Sequence, residues 1–359
     1  MNALALIVGI DVYPENTKMA KLQGAVADAA DFADWALNPA GGNVAPENLF
    51  FWTYPPPVAP GPHLAAYMTA PTRWPYVGPD FSRAPQAMEI VRTVPWLADK
   101  SVAAEADRIY VFLAGHGGQT RADDVDEDPQ NCFIAADFAV DMPAVGLVAC
   151  DDLRRYLIKA GPAELILFFD CCRNAMPLKV GKPPCPYNRI SPRGHHRRLG
   201  VGRAAQDACV AYETLPGAAN AIRGAFSKLL VGGLREHRVD GRLTLRDLEE
   251  YVSAGINGLV SPKVQYPDFL EKPRPPAIIL SVGPPLSATV SLNLNFVNIA
   301  EGTQFEIRDQ FDALVQVGTV SAARQTYALP IGSYSIDTAD GATLNVFHHL
   351  GPGETDVVI

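Results

Sequence analysis

Residues 164–172 read ELILFFDCC: an unbroken apolar stretch from Leu165 to Phe169, then Asp170, then two adjacent cysteines. Residues 107–120, DRIYVFLAGHGGQT, follow the same plan, with an apolar stretch from Ile109 to Ala114 that ends in His116 among glycines. A strand with one face in water alternates apolar and polar residues. One covered on both faces is apolar throughout, as in a parallel sheet. ALALIVGI at 3–10 is a third run of this kind. Between these runs lie segments of helical period at 21–37, 85–100, 150–161, 224–237 and 244–260. Strands alternating with helices predict an α/β fold, a mostly parallel sheet sandwiched by helices.

Working outward, 48–54 and 207–214 are expected as further strands, and Pro95 is expected to kink or end the helix of 85–100. Residues 55–83 are rich in Pro and aromatics and long for a connection, which suggests an ordered excursion walling the functional face. Residues 178–203 are basic, rich in Pro and Gly, and without period, and read as an exposed loop. From about residue 287 the pattern changes. Val290, Leu292, Leu294 and Phe296 alternate strictly, the signature of half-buried strands. The expected organisation is one unit over 1–282, a hinge at Gly283–Pro285, and a small C-terminal β-sandwich over 287–359.

Composition narrows the function. The chain has 359 residues, 48% of them hydrophobic, enough for one large core and a smaller one. Its net charge of −9 repels phosphate backbones, so nucleic acid is not an expected partner. No apolar stretch is long enough to cross a bilayer, and Asp11 cuts short the N-terminal run, which lacks the basic flank of an export signal. Six cysteines at irregular spacing point to reduced thiols and a cytoplasmic protein. No CxxC or HExxH pair announces a metal.

Ligands of open α/β sheets bind beyond the carboxyl ends of parallel strands. His116 and a cysteine of the 171–172 pair would meet there if their strands are neighbours. A thiolate attacking a carbonyl needs an imidazole that moves the proton to the leaving amine. Glycines beside the histidine would let a peptide backbone approach closely and present an N–H to an oxyanion.

These residues carry a family resemblance. ALIVGIDVY, LQGAVADAADFADWAL, FLAGHGGQ, FFDCCRNA, GAFSKLL, GRLTLRDLEEYV and VQYP, in this order, resemble the caspase-like cysteine peptidases, in their metacaspase branch. The resemblance spans roughly residues 3–280. It implies Cys172 as nucleophile, His116 as general base, and the backbone N–H groups of Gly117 and Cys172 as the oxyanion hole. It also implies Asp28 and Asp170 as a pocket for a basic side chain, because paired carboxylates suit a guanidinium or ammonium. Ala25, Ala27 and Ala114 replace the family's Cys, Asn and Ser, and Arg173-Asn174 stand where the metacaspase element has His-Ser.

The expected activity is therefore a Cys–His dyad endopeptidase cutting after Arg or Lys, a regulated cell-death or defence effector. It would act on protein or peptide substrates, as a monomer, without a required cofactor. A catalytically silent caspase fold that binds partners is the alternative. The basic loop sits where caspases carry their intersubunit linker, so self-cleavage is expected at Arg189, Arg193, Arg197 or Arg198. The acidic stretch with Asp123, Asp124, Asp126, Glu127 and Asp128 is a weak candidate for Ca²⁺, since its spacing is not that of an EF-hand loop.

Overall fold

A computed structural model describes the chain except residues 1, 17, 70–82, 104–105, 121–128, 143, 161, 177–197, 215–221, 240, 273–276, 283–288, 298, 310–313, 331–332, 339–342 and 349–353. In chain order the first part runs β1 (Ala3–Ile10), α1 (Ala25–Leu37), β2 (Val44–Tyr54), α2 (Pro62–Thr69), α3 (Ala87–Ala103), β3 (Arg108–Ala114), β4 (Gly117–Gln119), β5 (Asn131–Ile134) and β6 (Leu147–Ala149). It continues α4 (Cys150–Ala160), β7 (Glu164–Asp170), β8 (Arg198–Arg203), α5 (Ala225–Glu236), β9 (Arg242–Thr244), α6 (Leu245–Val260), β10 (Asp268–Lys272) and β11 (Ile279–Val282).

The central sheet has the order β10-β8-β7-β3-β1-β2 and is parallel except for β10. The continuous apolar runs are explained by its two covered faces. Ala5 and Ile7, Tyr110 and Phe112, Ile166 and Phe168 point into one core, shared with α1, α5 and α6. Leu4 and Leu6, Val111 and Leu113, Leu165 and Leu167 point into the other, shared with α3 and α4. In the first core Phe32 of α1 stacks on Phe112 at 4.5 Å between ring centroids and meets Phe168 at 5.8 Å, edge to face.

Several expectations need correction. The strand expected at 207–214 is absent; that stretch is irregular, with one isolated bridge from Glu213 to Gly224. The fifth parallel strand of the central sheet is instead β8, inside the segment read as a loop. Its glycines mimic a turn in sequence, yet they are packing positions. A Cβ on Gly200 would lie 2.8 Å from Leu245, and one on Gly202 2.9 Å from Phe168. The exposed-loop reading therefore ends before Arg198, which is paired in β8 and bonded to Glu164 and to the Ala277 carbonyl (3.0 Å), so it is no loose processing site. Arg189, Arg193 and Arg197 lie outside the described residues, as do Asp123, Asp124, Asp126, Glu127 and Asp128.

Pro95 does not end its helix: α3 runs through it to Ala103, and Val94, Leu97 and Ala98 are buried against the sheet. Part of the 55–83 excursion is α2. It docks on the far half of α1 from Asp28, through Asp34, which accepts the N–H groups of His63 (2.8 Å) and Leu64 (3.1 Å).

The C-terminal part consists of β12 (Thr289–Asn295), β13 (Gln304–Asp309), β14 (Leu314–Thr319), β15 (Arg324–Pro330), β16 (Ser333–Thr338), β17 (Thr343–His348) and β18 (Glu354–Val358). They form two sheets, β15-β12-β18 and β14-β13-β16-β17. Leu292, Leu294 and Phe296 bury into a core of their own with Phe305, Ile307 and Ile336, as their alternation predicts. The hinge at 283–285 lies outside the described residues. Among those described, no helix is long and apolar enough to cross a membrane, and no group of three His, Cys, Asp or Glu side chains could hold a metal ion.

Phe32 joins α1 to both central strands. Phe32→Ala should lower unfolding stability by about 3–5 kcal/mol, the usual cost of emptying a buried aromatic site. A urea titration measures it, and a loss under about 1 kcal/mol would contradict this packing.

Candidate active site

β3 and β7 are direct neighbours, in parallel register from Arg108↔Glu164 to Ala114↔Asp170. His116 and Cys172 each lie two residues beyond the last pair, at the same level of the sheet's carboxyl edge. The Gly115 N–H donates to the Asp170 carbonyl at 3.1 Å, which carries the pairing one residue further. The two residues singled out in sequence thereby follow the ends of adjacent parallel strands.

The turn after β3 must pass close to the turn after β7. A Cβ on Gly117 would sit 2.8 Å from Cys171 Cβ and Sγ and from the Cys172 carbonyl oxygen. Any side chain there would push the two turns apart, so the glycine answers to a close approach of backbone. Gly117 then enters β4, antiparallel to β5, and the Ile134 N–H donates to the His116 carbonyl at 3.0 Å.

Two groups outside the histidine's own loop hold it. Its backbone N–H donates to the Tyr13 hydroxyl at 2.7 Å, and the two rings lie 5.1 Å apart. Its Nε2 is 2.7 Å from the Ala20 carbonyl oxygen. A carbonyl only accepts, so Nε2 carries the proton, and in the neutral imidazole Nδ1 is left with the lone pair. Burial pulls this imidazole below its ordinary pKa, against the Ala20 bond and the nearby Glu213.

Cys172 is half-buried. Its sulfur accepts the Ala211 N–H at 3.4 Å and lies 3.6 Å from the Ala211 carbonyl. Burial raises its thiol above the ordinary value, partly offset by the Ala211 N–H. With the imidazole lowered and the thiol raised, both groups are uncharged at neutral pH. Cys171 points the other way, into the core with Cys150. The five described cysteines, Cys132, Cys150, Cys171, Cys172 and Cys209, are free thiols.

The departure Arg173 has a structural role. It is buried, bonds Asp207 and the Ala205 carbonyl (3.2 Å), and lies 3.6 Å from Asp268. Its backbone N–H donates to the Cys209 carbonyl at 2.9 Å, and its carbonyl accepts from Ala208 at 3.1 Å. It thereby fastens the irregular segment that brings Ala211 to the Cys172 sulfur.

Asp28 and Asp170 also converge. Asp28 is 1% exposed and Asp170 7%. They meet over Gly224, where a Cβ would fall 2.8 Å from Asp28 Oδ2 and 2.2 Å from Asp170 Oδ2. The Gly224 N–H donates to Asp28 Oδ2 at 2.7 Å, while Ser227 donates to Asp170 through its hydroxyl and, at 3.2 Å, its N–H. Burial lifts Asp170 to about 6, against the Ser227 bonds. Burial lifts Asp28 as well, opposed by the Arg223 guanidinium, which sits on it. The Arg223 Nε donates to Asp28 Oδ1 at 2.6 Å and its NH2 lies 2.7 Å from Asp31. Burial alone would lower that guanidinium, but Asp28 and Asp31 together raise it, and the two short contacts make the salt-bridge geometry. At the N-terminus of α1, Glu213 accepts the N–H groups of Gln23 (2.6 Å) and Gly24 (2.7 Å), where a helix favours negative charge.

Sequence reasoning missed Tyr13, Ala20, Ala211, Glu213, Arg223 and Ser227 as parts of this site. Ala20 and Ala211 act through backbone atoms and leave no signal in residue identity. Glu213 and Ser227 lay within segments noted only as a strand and a helix, Tyr13 ended a family-like stretch, and Arg223 stood in a connection given no reading.

A family model for the caspase domain matches residues 2–274. The chain belongs to the caspase-domain family. Among curated proteins it is similar to metacaspase-1B of Neurospora crassa, 26% identical over 150 residues that cover 41% of this chain and 34% of that protein. Metacaspase-1 of Candida glabrata is 29% identical over 100 residues, 27% of this chain and 24% of its own length. The match thus spans about a third or less of the curated relatives' length. The relatives agree with the metacaspase branch expected from the motifs. Of solved structures, a Geobacter sulfurreducens protein aligns over 78% of this chain and all of its own at 17% identity, with a TM-score of 0.49. Caspase-1 of Spodoptera frugiperda aligns over 80% of this chain and 91% of its own at 12% identity, with a TM-score of 0.45.

A neutral resting pair in this caspase domain has a measurable consequence. Alkylation of Cys172 by iodoacetamide, followed by peptide mass analysis, should rise with pH to a midpoint above the ordinary thiol value of about 8.5. A plateau already reached at neutral pH would show an ion pair instead.

Proposed function

We propose that this chain is a cysteine endopeptidase that hydrolyses peptide bonds after Arg or Lys, with Cys172 as nucleophile and His116 as general acid and base. The β3–β7 register carries the reading, because it sets both reactive side chains at one level of the sheet edge. As the Cys172 sulfur bonds to the scissile carbonyl carbon, its proton passes to His116 Nδ1, the nitrogen that the Ala20 carbonyl leaves free. The oxygen, now negative, takes N–H bonds from Gly117 and Cys172. The imidazolium gives its proton to the leaving amine as the C–N bond breaks. Water, deprotonated by the same imidazole, then splits the thioester and restores the thiol. Thiol, imidazole and water complete this cycle without a cofactor.

The basic preference is supported by the two buried carboxylates of Asp28 and Asp170, the second only two residues from the nucleophile. An arginine or lysine side chain entering beside Cys172 exchanges its water for charge-assisted bonds in a site of low polarity. We assign this chemistry to the unit of residues 1–282. The β-sandwich of 287–359 has its own core, and none of the groups named in this cycle comes from its described residues.

The test is hydrolysis of a fluorogenic peptide set with Arg, Lys, Asp or Leu before the cut bond, with Cys172→Ala alongside. Cleavage after Arg and Lys that disappears in the variant is expected. Cleavage after Asp or Leu alone would overturn the preference, and undiminished cleavage by the variant would overturn the nucleophile. The acid limb adds a second check. Asp170 takes up a proton as pH falls through about 6, which removes negative charge from the pocket. The KM for an arginyl peptide should therefore rise below that pH, and Asp170→Asn should flatten the change.

A further inference from the structure

The acidic pocket already holds a guanidinium of the chain itself. Arg223 is adjacent to Gly224, the residue over which Asp28 and Asp170 meet. Its Nε–H takes Asp28 Oδ1, the Gly224 N–H takes Oδ2, and so both oxygens of Asp28 are engaged. A second Arg223 nitrogen reaches the Ala27 carbonyl (3.2 Å) and Asp31. The Arg223 side chain is 18% exposed while that of Asp28 is 1% exposed, so the guanidinium stands between this carboxylate and solvent. The backbone of Arg223 is pinned in turn: its N–H donates to Thr214 Oγ1 at 3.2 Å, and its carbonyl accepts from Thr214 at 2.7 Å.

We infer that Arg223 is a built-in occupant of the basic-side-chain pocket, a competitor that an incoming arginine or lysine must displace from Asp28. The inference rests on the basic preference proposed above and names how that pocket is regulated. Charge and shape both support it, because a substrate arginine would present to Asp28 the same planar donors that Arg223 presents. Displacement is a near-even exchange of one ion pair for another, the substrate cation taking the place on Asp28 that Arg223 gives up, while Asp31 strengthens the resting hold on Arg223. Tethering makes the competitor effective. A pocket open for a tenth of the time binds its ligand about tenfold more weakly.

The competing explanation is a plain helix-to-helix ladder. α1 places Asp28, Asp31 and Asp34 at successive turns, and Arg235 of α5 continues the row with Asp34 at 3.4 Å and Asp31 at 4.0 Å. Arg235 therefore serves as the control: it shares the ladder but not the pocket.

The experiment is calorimetric titration of benzamidine, whose amidinium mimics the substrate group, into the full-length chain carrying Cys172→Ala. Adding Arg223→Gln should tighten binding by about tenfold, while adding Arg235→Gln should leave it unchanged. In active protein, Arg223→Gln should lower the KM for an arginyl peptide with little change in kcat. Benzamidine binding that is no tighter in folded Arg223→Gln, or equally tightened by Arg235→Gln, would overturn the inference and leave Arg223 as a structural clamp. If Arg223→Gln does not fold, Asp31→Asn loosens the outer hold on Arg223 and should tighten binding severalfold; no change there is equally fatal. The peptide set keeps the two ideas separate. Cleavage only after Asp or Leu removes the basic preference, while the benzamidine comparison still decides whether Arg223 competes for Asp28.

Discussion

The parallel pairing of β3 with β7 is the constraint on which the rest depends. Seven residues of each strand are locked side by side with both faces buried, so neither can slip without moving a whole apolar set. A one-residue shift would exchange Tyr110 and Phe112 with Ile109 and Val111 between the two cores. The register is thus fixed by burial, and the positions of His116 and Cys172 beyond it follow. The chemistry inherits its precision from the core beneath it.

Around that edge, backbone contributes as much as side chains. Ala20 sets the tautomer of His116, Ala211 seats the Cys172 sulfur, and the lack of a side chain on Gly117 lets the two turns touch. Arg173 shows how a departure from a family motif is absorbed. It turns a buried position into an anchor for the 205–209 segment, and it does so away from the reacting atoms.

Much of this was legible in the chain. Strands covered on both faces must be apolar throughout, so β1, β3 and β7 stood out, and the residues that end them were visible as chemistry out of place. The alternation of Leu292, Leu294 and Phe296 likewise announced a sheet with one covered face. β8 was hidden because Gly200 and Gly202 carry the composition of a turn while serving close packing. The segment 207–214 failed in the opposite sense. Its apolar residues resembled a strand, but the edge position beside β8 is taken by β10.

The sequence by itself determined the two-faced sheet, the placing of His116 and Cys172 just past two of its strands, and the acids Asp28 and Asp170 in the same part of the fold. Each depends on local composition and period, which a chain carries wherever it folds. Only the tertiary structure decided what those acids face. Arg223 is 195 residues from Asp28, and nothing in either segment marks them as partners. Their ion pair exists because α1 and α5 pack on the same face of the sheet, and burial makes a guanidinium the natural company for a carboxylate there. Distance along the chain is invisible to that force, so the guanidinium that meets Asp28 could be read only from the fold.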